Sequence, residues 1–455
     1  MRIVSGASIR YEDPVRSPVL PSPMKRVLIL AYYFPPLGGA GVQRTVKFLK
    51  HLPDLGYVAV VVTGPESGAV GWAPTDRTLE REISADHAVV RATEGPPSGN
   101  RPRFARWLGL PSPFERWWLR EATRLGRGAM RDVDLVYASM SPFGTALVAR
   151  TLARETGKPW VADLRDPWAL DEWTVYPTAL HRARDRIRMR RALREADAVV
   201  MNTDEAARAL VREFPEFGAA HVVTIPNGWD RNDFSAHVTP RTDDRFRVVY
   251  TGYSHVARRR HRVRGALRAV LGGSDSKRDV LTRSHVFLVE ALARLHNLDL
   301  DLARRAELHV AGAAPPAVGL ETAGVEVHHH GYLPHDEAVA LMRSADVLFL
   351  PMHDVQPGRR VRTVPGKTYE YLASGRPILA ALPEGDARDL LSGLPNVWLC
   401  RPSDVDAMTR ALLEIDRDRN IPSPPSELVE RFERRRQAET LARVFDDVLS
   451  APGTR

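Results

Sequence analysis

Short, continuous apolar runs alternate with helical patterns along most of this chain. Arg26 to Tyr32 reads as a buried strand. It runs into a turn carrying Pro35, Pro36, Gly38, Gly39 and Gly41. A helix from about Val42 to Leu55 follows, with Val42, Val46, Leu49 and Leu52 apolar, and a second strand covers Tyr57 to Thr63. This succession opens a doubly wound sheet. Further strands are predicted at Asp134 to Ser139, Trp160 to Leu164, Ala198 to Asn202 and His221 to Ile225, with helices between them. The Asn227-Gly228 turn starts a linker that runs to about Arg245. Phe246 to Thr251 then begins a second α/β unit. It continues with strands at Glu307 to Ala311, Val325 to Gly331 and Ala345 to Met352, and helices at Val286 to Leu295 and His335 to Arg343. A long amphipathic helix, Pro425 to Leu449, is predicted to pack across the domains.

The most informative stretch is Val364 to Leu379. A loop with Pro365, Gly366 and Lys367 enters a short amphipathic helix that carries Glu370. Gly375 suits a left-handed C-cap, Pro377 lies just beyond, and Ile378 to Leu382 reads as a buried strand. A carboxylate on a helix, preceded by a lysine and a flexible loop, suits a ribose and a phosphate together.

Composition narrows the class. At 455 residues the chain exceeds one ordinary core, so about two to three domains are expected. A hydrophobic content of 44% fits a globular protein. No apolar run approaches a spanning helix. Residues 1–24, with Pro14, Pro18, Pro21 and Pro23 and no apolar core, read as a disordered leader rather than a signal peptide. The single cysteine, Cys400, excludes an internal disulfide framework and fits a cytoplasmic location. The net charge is +9, and lysine occurs only at Lys25, Lys47, Lys50, Lys158, Lys277 and Lys367. Arginine-rich codon usage or an anionic partner both account for this excess. The basic residues are interleaved with acidic ones and form no reader motif, so nucleic acid is not an expected partner.

Candidate chemistry gathers at predicted strand ends, where open α/β sheets bind ligands. The turn of Gly38, Gly39 and Gly41 offers backbone N–H groups and a helix N-terminus to a phosphate. Its spacing is not the G-x-G-x-x-G of dinucleotide folds, and no acidic residue closes the next strand, so NAD is disfavoured. Ser141 follows one strand; Asp163, Arg165 and Asp166 follow the next; His353 and Asp354 follow Met352. Adjacent His328, His329 and His330 alternate faces on a strand, so at most two could share a ligand site, and no metal is expected there. Trp107, Phe114, Trp117 and Trp118 amid arginines are either a membrane-surface patch or core. The helix from about Arg182 to Glu195, crowded with arginine, is either a solvated face or a contact for acidic lipid.

Five stretches together resemble bacterial nucleotide-sugar glycosyltransferases of the GT-B fold, in particular the retaining family 4 group. They are Tyr32 to Pro36 with Gly38 to Gly41, Asp163 to Trp168, Ile225 to Gly228, Ser344 to Val347 with Leu350-Pro351, and Pro365 to Pro377. The resemblance implies an α/β chain of two Rossmann-like, doubly wound domains facing across a cleft. Residues 25–235 would take the acceptor and 236–425 the nucleotide sugar, with a basic insert at 255–285. Residues 426–455 would cross back as a helix and tail. It implies donor binding by Gly38, Gly39, Gly41, Gly252, Lys277, Arg278, His353, Gly366 and Glu370, with Glu370 on the ribose. Asp166, Arg165 and Lys367 are the catalytic candidates, and Asp163 and Ser141 the acceptor-binding ones. No cofactor beyond the donor is implied. The expected acceptor is a lipid-linked or polysaccharide glycan of the cell envelope, met in the cytoplasm or at the inner membrane face. Two departures stand out: Arg362 occupies the place of a family glutamate eight residues before Glu370, and Tyr253 follows Gly252 where a basic residue is usual. A nucleotide-sugar epimerase or a phosphorylase on the same fold is the alternative reading.

Overall fold

The computed structural model describes residues 24–66, 75–93, 95, 110–218, 221–238, 241–252, 280–312, 324–418 and 420–451. The expected leader, except Met24, falls outside them, as do Trp107, residues 255–279 of the basic insert, Lys277 and Arg278.

The apolar runs become strands of two parallel sheets. The first contains β1 (Lys25–Ala31), β2 (Tyr57–Thr63), β3 (Ala88–Arg91), β4 (Leu135–Met140), β5 (Trp160–Leu164), β6 (Ala198–Met201) and β7 (Val222–Thr224). The second contains β8 (Phe246–Thr251), β9 (Ala306–Ala311), β10 (Glu326–Gly331), β11 (Val347–Pro351), β12 (Ile378–Ala381) and β13 (Val397–Cys400). Their orders are β3-β2-β1-β4-β5-β6-β7 and β10-β9-β8-β11-β12-β13. Helices cover both faces, which is why strands such as β11 and β12 are apolar throughout rather than alternating.

Strand order reverses between β1 and β4 in the first sheet and between β8 and β11 in the second. A crevice opens at such a switch point, beyond the carboxyl ends of the strands. The glycine turn leaves β1, Ser141 leaves β4, Gly252 leaves β8 and His353 follows β11. Topology alone therefore brings these scattered residues to two facing sheet edges.

Several predicted elements shift. The first helix runs Ala40–His51, and Pro53–Leu55 forms a separate 3-10 turn because proline at its start supplies no N–H to continue the helix. The arginine-rich helix begins at Ala179, where the Thr178 side chain caps it. The predicted closing helix is two helices, Ser426–Arg431 and Arg434–Ser450. At the break, Trp229 N donates to Phe432 O (3.1 Å) and Arg434 N to Trp229 O (2.9 Å), so the returning chain pairs with the linker. Gly228 permits that approach, since a Cβ there would strike Phe432 O and Gln437. Trp118 is core: it is fully buried in helix Pro113–Ala129, and its Nε1 donates to Thr145 Oγ1 at 3.1 Å.

Helix Arg434–Ser450 packs against the first sheet. Ala438, Leu441, Ala442, Val444 and Phe445 join the core beneath β1, β2 and β4. Phe445 is 0% exposed, with its ring 5.3 Å from Tyr57 and 5.8 Å from Tyr137. Phe445→Ala is expected to cost about 3–5 kcal/mol and to lower the melting temperature measured by circular dichroism. A variant that melts with the wild type would mean that the crossing helix contributes little to the first domain.

Candidate active site

Helix Lys367–Ser374 forms because Thr368, Tyr369, Tyr371 and Leu372 bury one face, while Lys367 and Glu370, three apart, share the other. Gly375 ends it in the left-handed conformation (φ 68°), and its N–H donates to Leu372 O. Tyr371 Oη accepts from Thr251 N at 3.1 Å, which seats the helix against the end of β8. Tyr369 packs on Phe432, 4.8 Å between rings, which ties it to the returning chain.

Across the cleft, Gly39 (φ 107°) caps helix Ala40–His51 in a backbone conformation that side chains resist. A Cβ on Gly38 would meet the Tyr332 hydroxyl, and one on Gly41 the Arg165 guanidinium. The glycines thus let the first domain's loop approach both the second domain and Arg165.

The cleft has two adjoining chambers. One, of about 760 Å³, holds Gly252, Arg283, His335, Lys367 and Glu370. The other, of about 400 Å³, holds Ser141, Arg165, Trp173, Asn202, Asn227 and His353. Gly38, Gly39, Gly41, Asp166, Arg283 and Gly366 line both. In the larger chamber, burial and then the neighbouring Arg283 push the Lys367 ammonium well below the ordinary lysine value, with Glu370 opposing. Lys367 Nζ lies 4.1 Å from the centre of the Tyr250 ring. Burial raises the Glu370 carboxyl, and the nearby His335 partly offsets this.

This two-sheet cleft agrees with the sequence comparisons. The model of the Glycosyl transferase 4-like domain matches residues 13–228, and that of Glycosyl transferases group 1 matches residues 279–418. The chain belongs to the GT-B glycosyltransferases. Among solved structures, HepE of Anabaena, crystallised with UDP and glucose, aligns over 93% of this chain and 100% of its own at 17% identity (TM-score 0.58). Sucrose-phosphate synthase of Thermosynechococcus elongatus aligns over 94% and 100% at 14% identity (TM-score 0.62). An E. coli trehalose-6-phosphate structure, bound with UDP-2-fluoro glucose, aligns over 94% and 100% at 11% identity (TM-score 0.59). These likenesses establish the shared fold. No curated protein matches this chain in sequence.

Within this glycosyltransferase, two of the residues anticipated at the strand ends do something else. Asp163, expected to bind acceptor, is 0% exposed and does not reach the cleft. Its oxygens accept from Arg44 Nε (2.8 Å) and NH2 (2.9 Å), and from the Tyr137 hydroxyl. It points into the sheet-helix layer because strand residues alternate faces. Asp354, expected in the cleft, instead pairs with Arg401 at 2.8 Å. Arg165 lines the smaller chamber, but its Nε donates to Met140 O (2.9 Å) and its NH1 to Gly41 O, so it braces the glycine loop. Asp166 is exposed between the two chambers. Arg362 turns to the first domain, where it pairs with Glu172 and donates to Leu170 O at 3.2 Å.

Arg283 and His335 were not anticipated in the site. Arg283 lies in the same basic insert as Lys277 and Arg278, and only the fold singles it out. His335 opens the helix after β10, a strand-end position that was a usable signal. Its Nδ1 is 2.9 Å from Gln43 Nε2, its Nε2 3.0 Å from Asp233 Oδ2 and 3.8 Å from Glu370 Oε1. Burial disfavours its charged form, but Asp233 and Glu370 outweigh that and raise its pKa. A raised histidine stabilises fully below its unfolded value of 6.5, and the contribution is lost as pH rises through the higher folded value. The melting-temperature advantage of the wild type over His335→Gln should therefore shrink as the pH rises above 6.5. An advantage that grows with pH would contradict this assignment.

Proposed function

We propose that this glycosyltransferase moves a hexose from a nucleotide-diphosphate sugar to a lipid-linked or polysaccharide acceptor of the cell envelope, with retention and without a catalytic metal. The observation that carries the reading is the larger chamber, where Arg283, Lys367 and the glycine loop converge beside the Glu370 carboxylate. Two cations that repel each other in a buried site suit a diphosphate, whose charge would restore the lysine ammonium. Departure of a nucleoside diphosphate builds negative charge, which Arg283, Lys367 and the N-terminus of helix Lys367–Ser374 would stabilise. Glu370 would accept the ribose hydroxyls. The smaller chamber adjoins it through Asp166 and Gly366, which suits an acceptor hydroxyl approaching the donor sugar. The UDP and glucose named with HepE, and the UDP-2-fluoro glucose named with the E. coli structure, make a uridine donor the first to test.

A thermal-shift panel of UDP, GDP, dTDP and ADP sugars tests the donor. The cognate sugar, at 100 times its dissociation constant, should add about 2.7 kcal/mol. Lys367→Ala and Glu370→Gln should abolish transfer while circular dichroism stays native. Wild-type turnover in both would place the chemistry elsewhere.

No helix among the described residues is long and apolar enough to cross a membrane. We infer peripheral contact with the inner face through helix Ala179–Leu193. Leu180 and Ile187, seven residues apart, are 76% and 50% exposed on an arginine-rich surface. Vesicles containing phosphatidylglycerol should sediment the wild type at low salt, and Leu180→Glu with Ile187→Glu should weaken this at least several-fold. Equal sedimentation of both proteins would remove this helix as the contact.

A further inference from the structure

The three adjacent histidines take no part in the cleft. They lie on β10, the edge strand of the second sheet, which pairs in parallel with β9 and sets His328 opposite His309 and Glu326 opposite Glu307. Alternation divides the run. The His329 ring lies 5.9 Å from His285, whereas the His309 ring stacks 4.5 Å from His328 and 5.1 Å from His330. Glu307 joins the His309 group: its Oε1 is 3.0 Å from His309 Nε2 and its Oε2 is 3.8 Å from His328 Nε2. The donor atoms of Glu307, His309 and His328 all lie within 4.8 Å of one another.

A second observation concerns hydrogen bonding. The Nε2 atoms of His309 and His328 are buried and make no hydrogen bond, despite the carboxylate oxygens near them. His309 is only 7% exposed. Its other nitrogen, Nδ1, lies 2.9 Å from His330 Nε2. An imidazole that binds a metal through one nitrogen is commonly anchored in this way through the other.

We propose that Glu307, His309 and His328 form a zinc site on the edge of the second domain, with Glu326 as a fourth donor. Glu326 Oε1 is 3.0 Å from His328 Nε2. Two imidazoles and carboxylate oxygen form a donor set that zinc accepts in four-coordinate geometry. Arg247 and Arg245 each occupy one oxygen of Glu307, at 2.7 and 3.1 Å through Nε. A carboxylate oxygen carries more than one lone pair, so these arginines orient the carboxylate without using up its acceptor capacity.

The ion would be structural and remote from sugar transfer, since none of its four proposed donors lines either chamber. Its connection to the cleft is mechanical. β10 ends at Gly331, and the next residue, Tyr332, donates to Asp76 of the first domain at 2.8 Å. Pinning β10 to β9 would fix the strand that delivers Tyr332, Leu333 and His335 to the larger chamber.

The test uses the full chain without a histidine tag, stripped by chelator and titrated with zinc chloride against a chromophoric competitor. The wild type should bind a single zinc and gain melting temperature. His309→Ala and His328→Ala should each weaken binding at least about 10–100-fold, whereas His329→Ala, on the opposite face, should bind as the wild type does. Circular dichroism checks folding, and His328→Gln, at a side chain 40% exposed, keeps the test open if His309→Ala does not fold. Absence of zinc binding by the wild type overturns the proposal. So does zinc retained by the His309 and His328 variants, which would move the ion to another cluster, such as His51, Asp230 and Glu433.

Discussion

The buried ion pair between Arg44 and Asp163 is the constraint on which the cleft depends. Both side chains are 0% exposed and meet through two hydrogen bonds, of 2.8 and 2.9 Å. Arg44 also donates to Pro226 O at 3.0 Å, and Tyr137 donates to Asp163. One interaction thereby joins the first helix, β4, β5 and the start of the linker. Removing either partner of such a pair leaves a buried charge uncompensated, at a cost of about 3–5 kcal/mol. The glycine loop is the N-terminal approach to that helix, so its position is set from beneath by charges that never touch a ligand.

A second buried cation extends the same logic. Lys47, one turn beyond Arg44 and on the same helix, reaches Glu82 at 2.6 Å, Asp233 at 2.8 Å and Asp230 at 3.2 Å. Asp233 in turn contacts His335 of the second domain. The first helix therefore presents glycines to the cleft at one end and anchors the linker from its middle. Arg362 with Glu172 and Tyr332 with Asp76 add polar contacts between the domains, and Trp173 packs its ring 5.3 Å from His353.

The proposed zinc site belongs to this arrangement through β10. An edge strand has neighbours on one side only, so its position is less determined than that of β8 or β9. A cross-link between β9 and β10 would make the exit of that strand as well defined as the exits of the central ones. This lies outside the proposed transfer chemistry, in which charge on the departing diphosphate would be met by arginine, lysine and backbone N–H groups.

The sequence by itself determined most of the strands and their parallel pairing, but not β3 or β13. Apolar runs such as Val347 to Pro351 are legible because a strand buried on both faces needs no polar position. Gly375 and Pro377 marked the end of the Glu370 helix because left-handed and ring-constrained backbones are written in residue type. Glycine turns at the ends of strands announced where the cleft opens. The tertiary structure decided which charged residues face that cleft. Asp163 and Asp166 are three apart and chemically alike, yet one is buried against Arg44 and the other stands in the cleft. Arg283 is one arginine among many until the fold places it beside Lys367. Whether Phe432 and Glu433 continue a helix depends on Trp229, about 200 residues away. Local pattern fixes what an element is, but the facing of a side chain depends on partners that meet only when the chain is folded.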